Sequence, residues 1–224
     1  MRSLRSSSTL LILLLTLGIM LTTTGCFMGT ETIDVEYLPG FEAERLFYNE
    51  QPSIAVNKIW DERPQKDRVG EGYNMYGGKT ETWITRQTPT DILEAALIKQ
   101  LKSMGFVVVT TSGWDLAADS IPEYITSDFV AGGRLKAFWV ESRPGLVTVS
   151  VNSRVTFDLV IADVETGKVI WAGQFTGSDQ PETIIRLDSD MRDSLSRSLT
   201  EAVNSAFRDD SVRRAFSNVL QLRF

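Results

Sequence analysis

Chemistry in this chain has few candidates. Cys26 is the only thiol, and the sequence contains no histidine. Without imidazole, the usual general base near neutral pH and the commonest zinc ligand are both missing. One cysteine also excludes a four-thiolate zinc site and any internal disulfide. Carboxylates are the remaining acid–base groups. Asp61 and Glu62 are adjacent, so on a strand they would face opposite ways, whereas paired catalytic carboxylates must converge. Asp188, Asp190 and Asp193 can gather at a helix start, where the helix dipole already favours negative charge. No serine lies in Gly-x-Ser-x-Gly, and Gly70-x-Gly72 and Gly77-Gly78-Lys79-Thr80 are each missing glycines that a nucleotide loop needs. These patterns predict no catalytic centre, no cofactor and no metal. A histidine-independent hydrolase is the enzyme reading that a carboxylate cluster would revive.

What surrounds Cys26 gives the thiol a role. Arg2 and Arg5 precede an apolar run over residues 9–21, and Thr22-Thr-Thr-Gly-Cys26 follows. A charged start, an apolar middle and a small-residue end make a secretory signal. The run is too short for a permanent membrane helix, which needs ~20 residues. The segment resembles the lipobox of bacterial lipoproteins, in which the first mature residue is a diacylglyceryl-cysteine whose new amino group is acylated. That family prefers Leu three residues before the cysteine; here Thr23 holds the position and Leu21 stands two places further back. The resemblance implies a lipid bilayer as the partner of acylated Cys26. Phe27, in place of the Asp that retains such proteins at the inner membrane, implies outer-membrane delivery facing the periplasm. An ordinary signal peptide, or an uncleaved short anchor with Cys26 an incidental thiol, is the alternative.

Removing residues 1–25 leaves a length that suits one domain. The chain of 224 residues has a formal charge of −6 and loses Arg2 and Arg5 with the signal, which argues against nucleic acid as a partner. Residues 26–49 read as a lipidated tether whose latter part, with alternating Ile33, Val35 and Tyr37, offers an edge strand. Residues 50–224 read as a single periplasmic domain.

Within that domain, Ser53–Trp60 has the length and β-branching of a strand. Residues 65–87 look irregular, with Gly70, Gly72, Gly77 and Gly78 among Tyr73, Met75, Tyr76 and Trp83. A loop of that length is uncommon and often functional, so Tyr73, Met75, Tyr76 and Trp83 form a candidate interaction loop. The same aromatics also suit an excursion packed over the sheet edge. Thr88-Pro89-Thr90-Asp91 starts a helix whose Leu93, Leu97, Leu101 and Met104 repeat at helical spacing until Gly105. A strand at 106–110 completes a strand–helix–strand unit, and 112–126 reads as a short helix or loop. Residues 129–140 form a strand with an irregularity at Gly132-Gly133. The alternation Val149, Val151, Ser153, Val155, Phe157, Leu159, Ile161 marks an antiparallel strand with one wetter face, and a turn at Gly167 leads to its partner. A helix opening near Asp188 and a last segment from about Asp210 complete the pattern. The expected fold is mixed α/β: a strand–helix–strand unit, a three-stranded antiparallel meander, and C-terminal helices on one sheet face, leaving the polar face partly open.

Ile54-Ala-Val-Asn-Lys-Ile-Trp-Asp-Glu-Arg63, the glycine-rich insertion ending near Thr88, Leu101-Lys-Ser-Met-Gly-Phe106 and Asp163-Val-Glu-Thr-Gly-Lys168 together resemble the YajG-like group of periplasmic lipoproteins. They share grammar with penicillin-binding-protein activators, auxiliary lipoproteins of lipid-transport ABC systems and TolB-like amino-terminal domains. The resemblance carries no catalytic residues. It implies a non-catalytic adaptor in envelope assembly or maintenance with an envelope protein as partner. A lipid- or glycan-binding module, with a groove between helices and sheet, is the second reading.

Overall fold

The computed structural model describes residues 29–39, 51–184 and 187–223; Cys26 and the signal segment lie outside them. The spine is a long hairpin of β7 (Phe129–Pro144) and β8 (Val149–Asp163). On β8 the alternation holds residue by residue, with Val151, Ser153, Val155, Phe157, Leu159 and Ile161 all buried. Gly167, at φ 65°, turns the chain into β9 (Lys168–Asp179), antiparallel to β8. The short β10 (Glu182–Thr183) pairs with the start of β8.

The other edge of β7 takes two sets of strands. Its first part pairs in parallel with β2 (Ser53–Asn57), which pairs in parallel with β6 (Val107–Thr111). The two-residue β3 (Trp60–Asp61) follows against Arg134 and Leu135. Its last part pairs in parallel with β4 (Gly70–Tyr73), then come β5 (Lys79–Thr85) antiparallel to β4 and β1 (Gly29–Ile33) parallel to β5.

Helix α1 (Pro89–Ser103) starts as the sequence predicts: the Thr88 hydroxyl accepts from the Asp91 amide at 3.2 Å and Pro89 occupies the first turn. α2 (Asp188–Arg208) and α3 (Asp210–Arg223) complete the helical layer. Leu93, Leu97 and Leu101 of α1, Leu195, Leu199 and Val203 of α2 and Phe216 of α3 share one core with the buried sheet face. There Phe216 meets Phe106 and Phe129 at 4.9 and 5.1 Å between ring centres. The opposite face is covered at one end by residues 112–126, whose Trp114 and Leu116 pack with Ala55, Val130 and Ala162. Asn57 pins that segment, its side-chain amide donating to the Trp114 carbonyl at 3.0 Å and its oxygen accepting from the Trp114 amide at 3.2 Å.

Three expectations change. Within the stretch 65–87, residues 70–85 are not an irregular loop but the β4–β5 hairpin. Its glycines hide a strand because a Cβ at Gly70 would strike Val140 and the Trp83 ring, so close packing demands a residue of poor strand propensity. The irregularity of β7 falls between Leu135 and Ala137, not at Gly132-Gly133. Those glycines admit close neighbours instead, since a Cβ at Gly133 would run into the Asp158 carbonyl and one at Gly132 into Leu116. The edge strand begins at Gly29, and Ile33, Val35 and Tyr37 are core residues. Gly29–Ile33, part of what reads as tether, therefore belongs to the sheet. The Tyr37 hydroxyl lies 2.6 Å from Gln100 Oε1 on α1 and 2.8 Å from Asn204 Oδ1 on α2, which ties the segment after β1 to both helices; burial raises its pKa to about 12.

Candidate functional site

The aromatic residues of the candidate loop separate. Trp83 points inward and is fully buried in the main core. It is a structural residue and offers no contact surface, because alternation along β5 turns it toward the helices. Tyr73, at the end of β4, lies on the open face of the sheet. Its hydroxyl donates to Glu71 at 2.7 Å, and the Arg143 guanidinium carbon sits 4.3 Å from its ring centre. Met75 and Tyr76 stand in solvent at the hairpin tip, 61% and 98% exposed. The tip is a built turn: Asn74 Oδ1 accepts from the amides of Tyr76 and Gly78 at 3.0 and 2.9 Å, and Gly77 adopts φ 80°.

Beneath the tip, Glu71 is buried and meets Lys79 Nζ at 2.6 Å and Arg68 Nε at 2.9 Å. Burial alone would push its carboxyl up. The hydrogen bonds from Lys79 and Tyr73, with the charges of Lys79 and Arg68, outweigh that and hold it below the ordinary Glu range.

Further along the open face runs a row of charge. Glu62 meets Arg134 at 3.2 Å and also pairs with Lys136, which reaches Asp158 at 3.3 Å; Asp158 accepts from Gln174 at 2.9 Å. Arg134 lies 5.7 Å from the centre of the half-exposed Trp60 ring. Unlike the opposite face, this row has no helix over it among the described residues.

No protein-family model matches the chain, and no curated protein does. Its fold is similar to that of a DUF330-family protein from Xanthomonas campestris, with a TM-score of 0.51 at 13% identity over 84% of this chain and 98% of that one. A lipoprotein from Neisseria meningitidis aligns with a TM-score of 0.41 at 13% identity over 70% of this chain and 99% of that one. The kinship is distant and lies in the fold. It does not single out the YajG-like group that the sequence motifs resemble.

Of the carboxylates considered for catalysis, Asp61, Glu62, Asp190 and Asp193 have structural partners. Asp61 and Arg63 form a two-point ion pair, with Arg63 Nε and Nη2 reaching Asp61 at 3.0 and 2.9 Å. Asp190 accepts from the Leu187 amide at 2.9 Å, as a helix start requires, and Asp193 pairs with Arg192.

Sequence reasoning missed two sets of residues. The row Glu62, Arg134, Lys136 and Asp158 is assembled by the pairing of β3, β7 and β8 and leaves no local signal. Leu146 and Val147, 93% and 78% exposed in the β7–β8 turn, did leave one: two large apolar side chains in a turn, where polar residues are the rule.

Proposed function

We propose that this chain is a lipid-anchored protein of the bacterial cell envelope, held at the outer membrane through acylated Cys26, that works without catalysis as an adaptor for another envelope protein. The observation that carries this reading is the row of Glu62, Arg134, Lys136 and Asp158 beside Trp60, uncovered among the described residues, on a sheet whose other face is sealed by helices. Mixed charges with an accessible aromatic favour a polar protein surface over an apolar ligand. Confinement by the anchor raises the effective concentration, so a modest interface suffices.

A lipid- or glycan-binding groove between helices and sheet has less support. Leu93, Leu97, Leu195, Leu199 and Val203 are at most 2% exposed, so that seam is closed among the described residues.

Mass measurement of the mature amino terminus tests the anchor, with diacylglycerol and acyl mass expected on Cys26. For the adaptor role, a photo-crosslinker placed at the exposed Arg154 of the open face should capture a discrete envelope protein in intact cells. The adduct should vanish on Lys136→Glu, and the same crosslinker at Lys168, the first residue of β9, should not form it. Adducts indifferent to Lys136→Glu would remove the face from the reading.

A further inference from the structure

We propose that one end of the sheet rests on the bilayer, with Met75, Tyr76, Leu146, Val147, Ile184 and Leu187 sunk into the boundary between headgroups and acyl chains. The inference rests on the lipid anchorage proposed above and adds the orientation of the domain.

Three chain connections meet at this end. β4 runs parallel to β7 with Gly72 opposite Ser142, so the tip that follows Tyr73 and the turn that follows Pro144 leave the sheet side by side. Thr183 pairs with Val149, which brings Ile184 next to the same turn. α2 runs along β8 away from this end: Ser153 Oγ meets the hydroxyls of Ser194 and Ser198 at 2.7 Å, and Gly177, opposite Val155, lies against the backbone of Ser198 and Ala202, so Leu187, before the first turn of α2, lies toward this end too. All six residues are exposed, from 56% for Leu187 to 98% for Tyr76. The turn at the other end of β8 is Asp163-Val-Glu-Thr-Gly-Lys168. Its single large apolar residue, Val164, packs against the smaller core. Exposed apolar side chains gathered on adjacent tips mark a contact surface.

The chain itself indicates what that surface meets. β1 runs parallel to β5 with Gly29 opposite Glu81, two residues from where β5 leaves the tip at Lys79. The first strand therefore begins at the apolar end. From Cys26 to Gly29 the backbone can reach no more than about 10 Å. An acylated Cys26 lies in the membrane interface, so this end of β1 is held close to it. β7 is three strands away, about 14 Å at ordinary strand spacing, which brings the β7–β8 turn to the same surface. At the β4–β5 tip Lys79 pairs with Glu71 and at the β7–β8 turn Arg143 pairs with Glu141, so there the contact is apolar rather than electrostatic, as suits an acidic chain. The strands then stand up from the membrane, and the charged face looks sideways into the periplasm.

The test uses the mature lipidated protein in vesicles of phosphatidylethanolamine and phosphatidylcholine. With Cys26 acylated, Tyr76→Cys, Leu146→Cys or Lys168→Cys each adds one free thiol at an exposed position for a polarity-sensitive NBD probe. At 76 and 146 the emission should shift to the blue, and doxyl-lipid quenching should exceed that at 168 by roughly twofold or more, as shallow insertion requires. If the protein floats with the vesicles while probes at 76 and 146 stay as open to iodide as the one at 168, the docked orientation is wrong and the anchor stands. Probes open on vesicles but shielded in native envelopes would give this end to a protein partner and overturn the proposal. Protein that does not float with vesicles would overturn the anchorage and the orientation with it.

Discussion

Arg143 lies over the ring of Tyr73, its guanidinium carbon 4.3 Å from the ring centre, and so joins β7 to β4 where both strands run out of the sheet. Arg143 also meets Glu141 at 3.2 Å, while the Tyr73 hydroxyl meets Glu71. Polar contacts thus continue from β7 through β4 to Lys79 on β5, directly beneath the exposed tips.

That stack should be energetically coupled. A double-mutant cycle of Arg143→Ala and Tyr73→Leu, read by urea unfolding, should give a coupling of about 0.5–1 kcal/mol. Additive effects would mean that the two side chains are merely neighbours and that the tips are positioned by the backbone alone.

Glu71 should make stability depend on pH in the acid range. Its folded carboxyl titrates below the ordinary Glu value of about 4.3. The stabilisation is therefore complete above that value and lost as pH falls through the folded pKa. Glu71→Gln should cost about 1–2 kcal/mol at neutral pH, the half-exposed Lys79 limiting the loss. The gap between wild type and variant should close as the pH is lowered. A gap independent of pH would show that the carboxylate charge contributes nothing.

Arg63 is buried, with its side chain 3% exposed, and each of its three guanidinium nitrogens is engaged. Besides the pair with Asp61, Nη1 reaches the Arg68 carbonyl at 3.2 Å and Nη2 the Lys66 carbonyl at 3.4 Å. One guanidinium thus organises the connection from β3 to β4. Arg63→Ala should destabilise by about 3–5 kcal/mol, and Arg63→Lys should recover only part of this, because an ammonium cannot reproduce the planar fork. Full recovery by lysine would show that charge alone matters.

Elements with a period were legible in the sequence, and elements held by long-range contact were not. The β8 alternation and the Thr88-Pro89 helix start are local patterns, and both appear where expected. β4 was hidden because Gly70 is required by Val140 and Trp83, neighbours that only the folded sheet supplies. Lys136 and Glu62 are separated by 74 positions, so the charged row exists only once β3 has paired with β7. At the tips the composition was legible, but the convergence of three connections beside the start of β1 was not.

Trp83 and Tyr76 share one glycine-rich stretch, yet substitutions there should have opposite consequences. Trp83→Ala removes a fully buried side chain and should cost about 3–5 kcal/mol by urea unfolding. The Trp83 indole N–H is buried without a hydrogen-bond partner among the described residues. Trp83→Phe should therefore cost much less, since it keeps most of the ring and removes an unsatisfied donor. Tyr76→Ala touches nothing that holds the fold and should stay within about 0.5 kcal/mol of wild type. Its effect should appear instead in membrane contact, as reduced doxyl-lipid quenching of a probe at 146. A large stability loss at Tyr76, or none at Trp83, would reverse the division between core and tip.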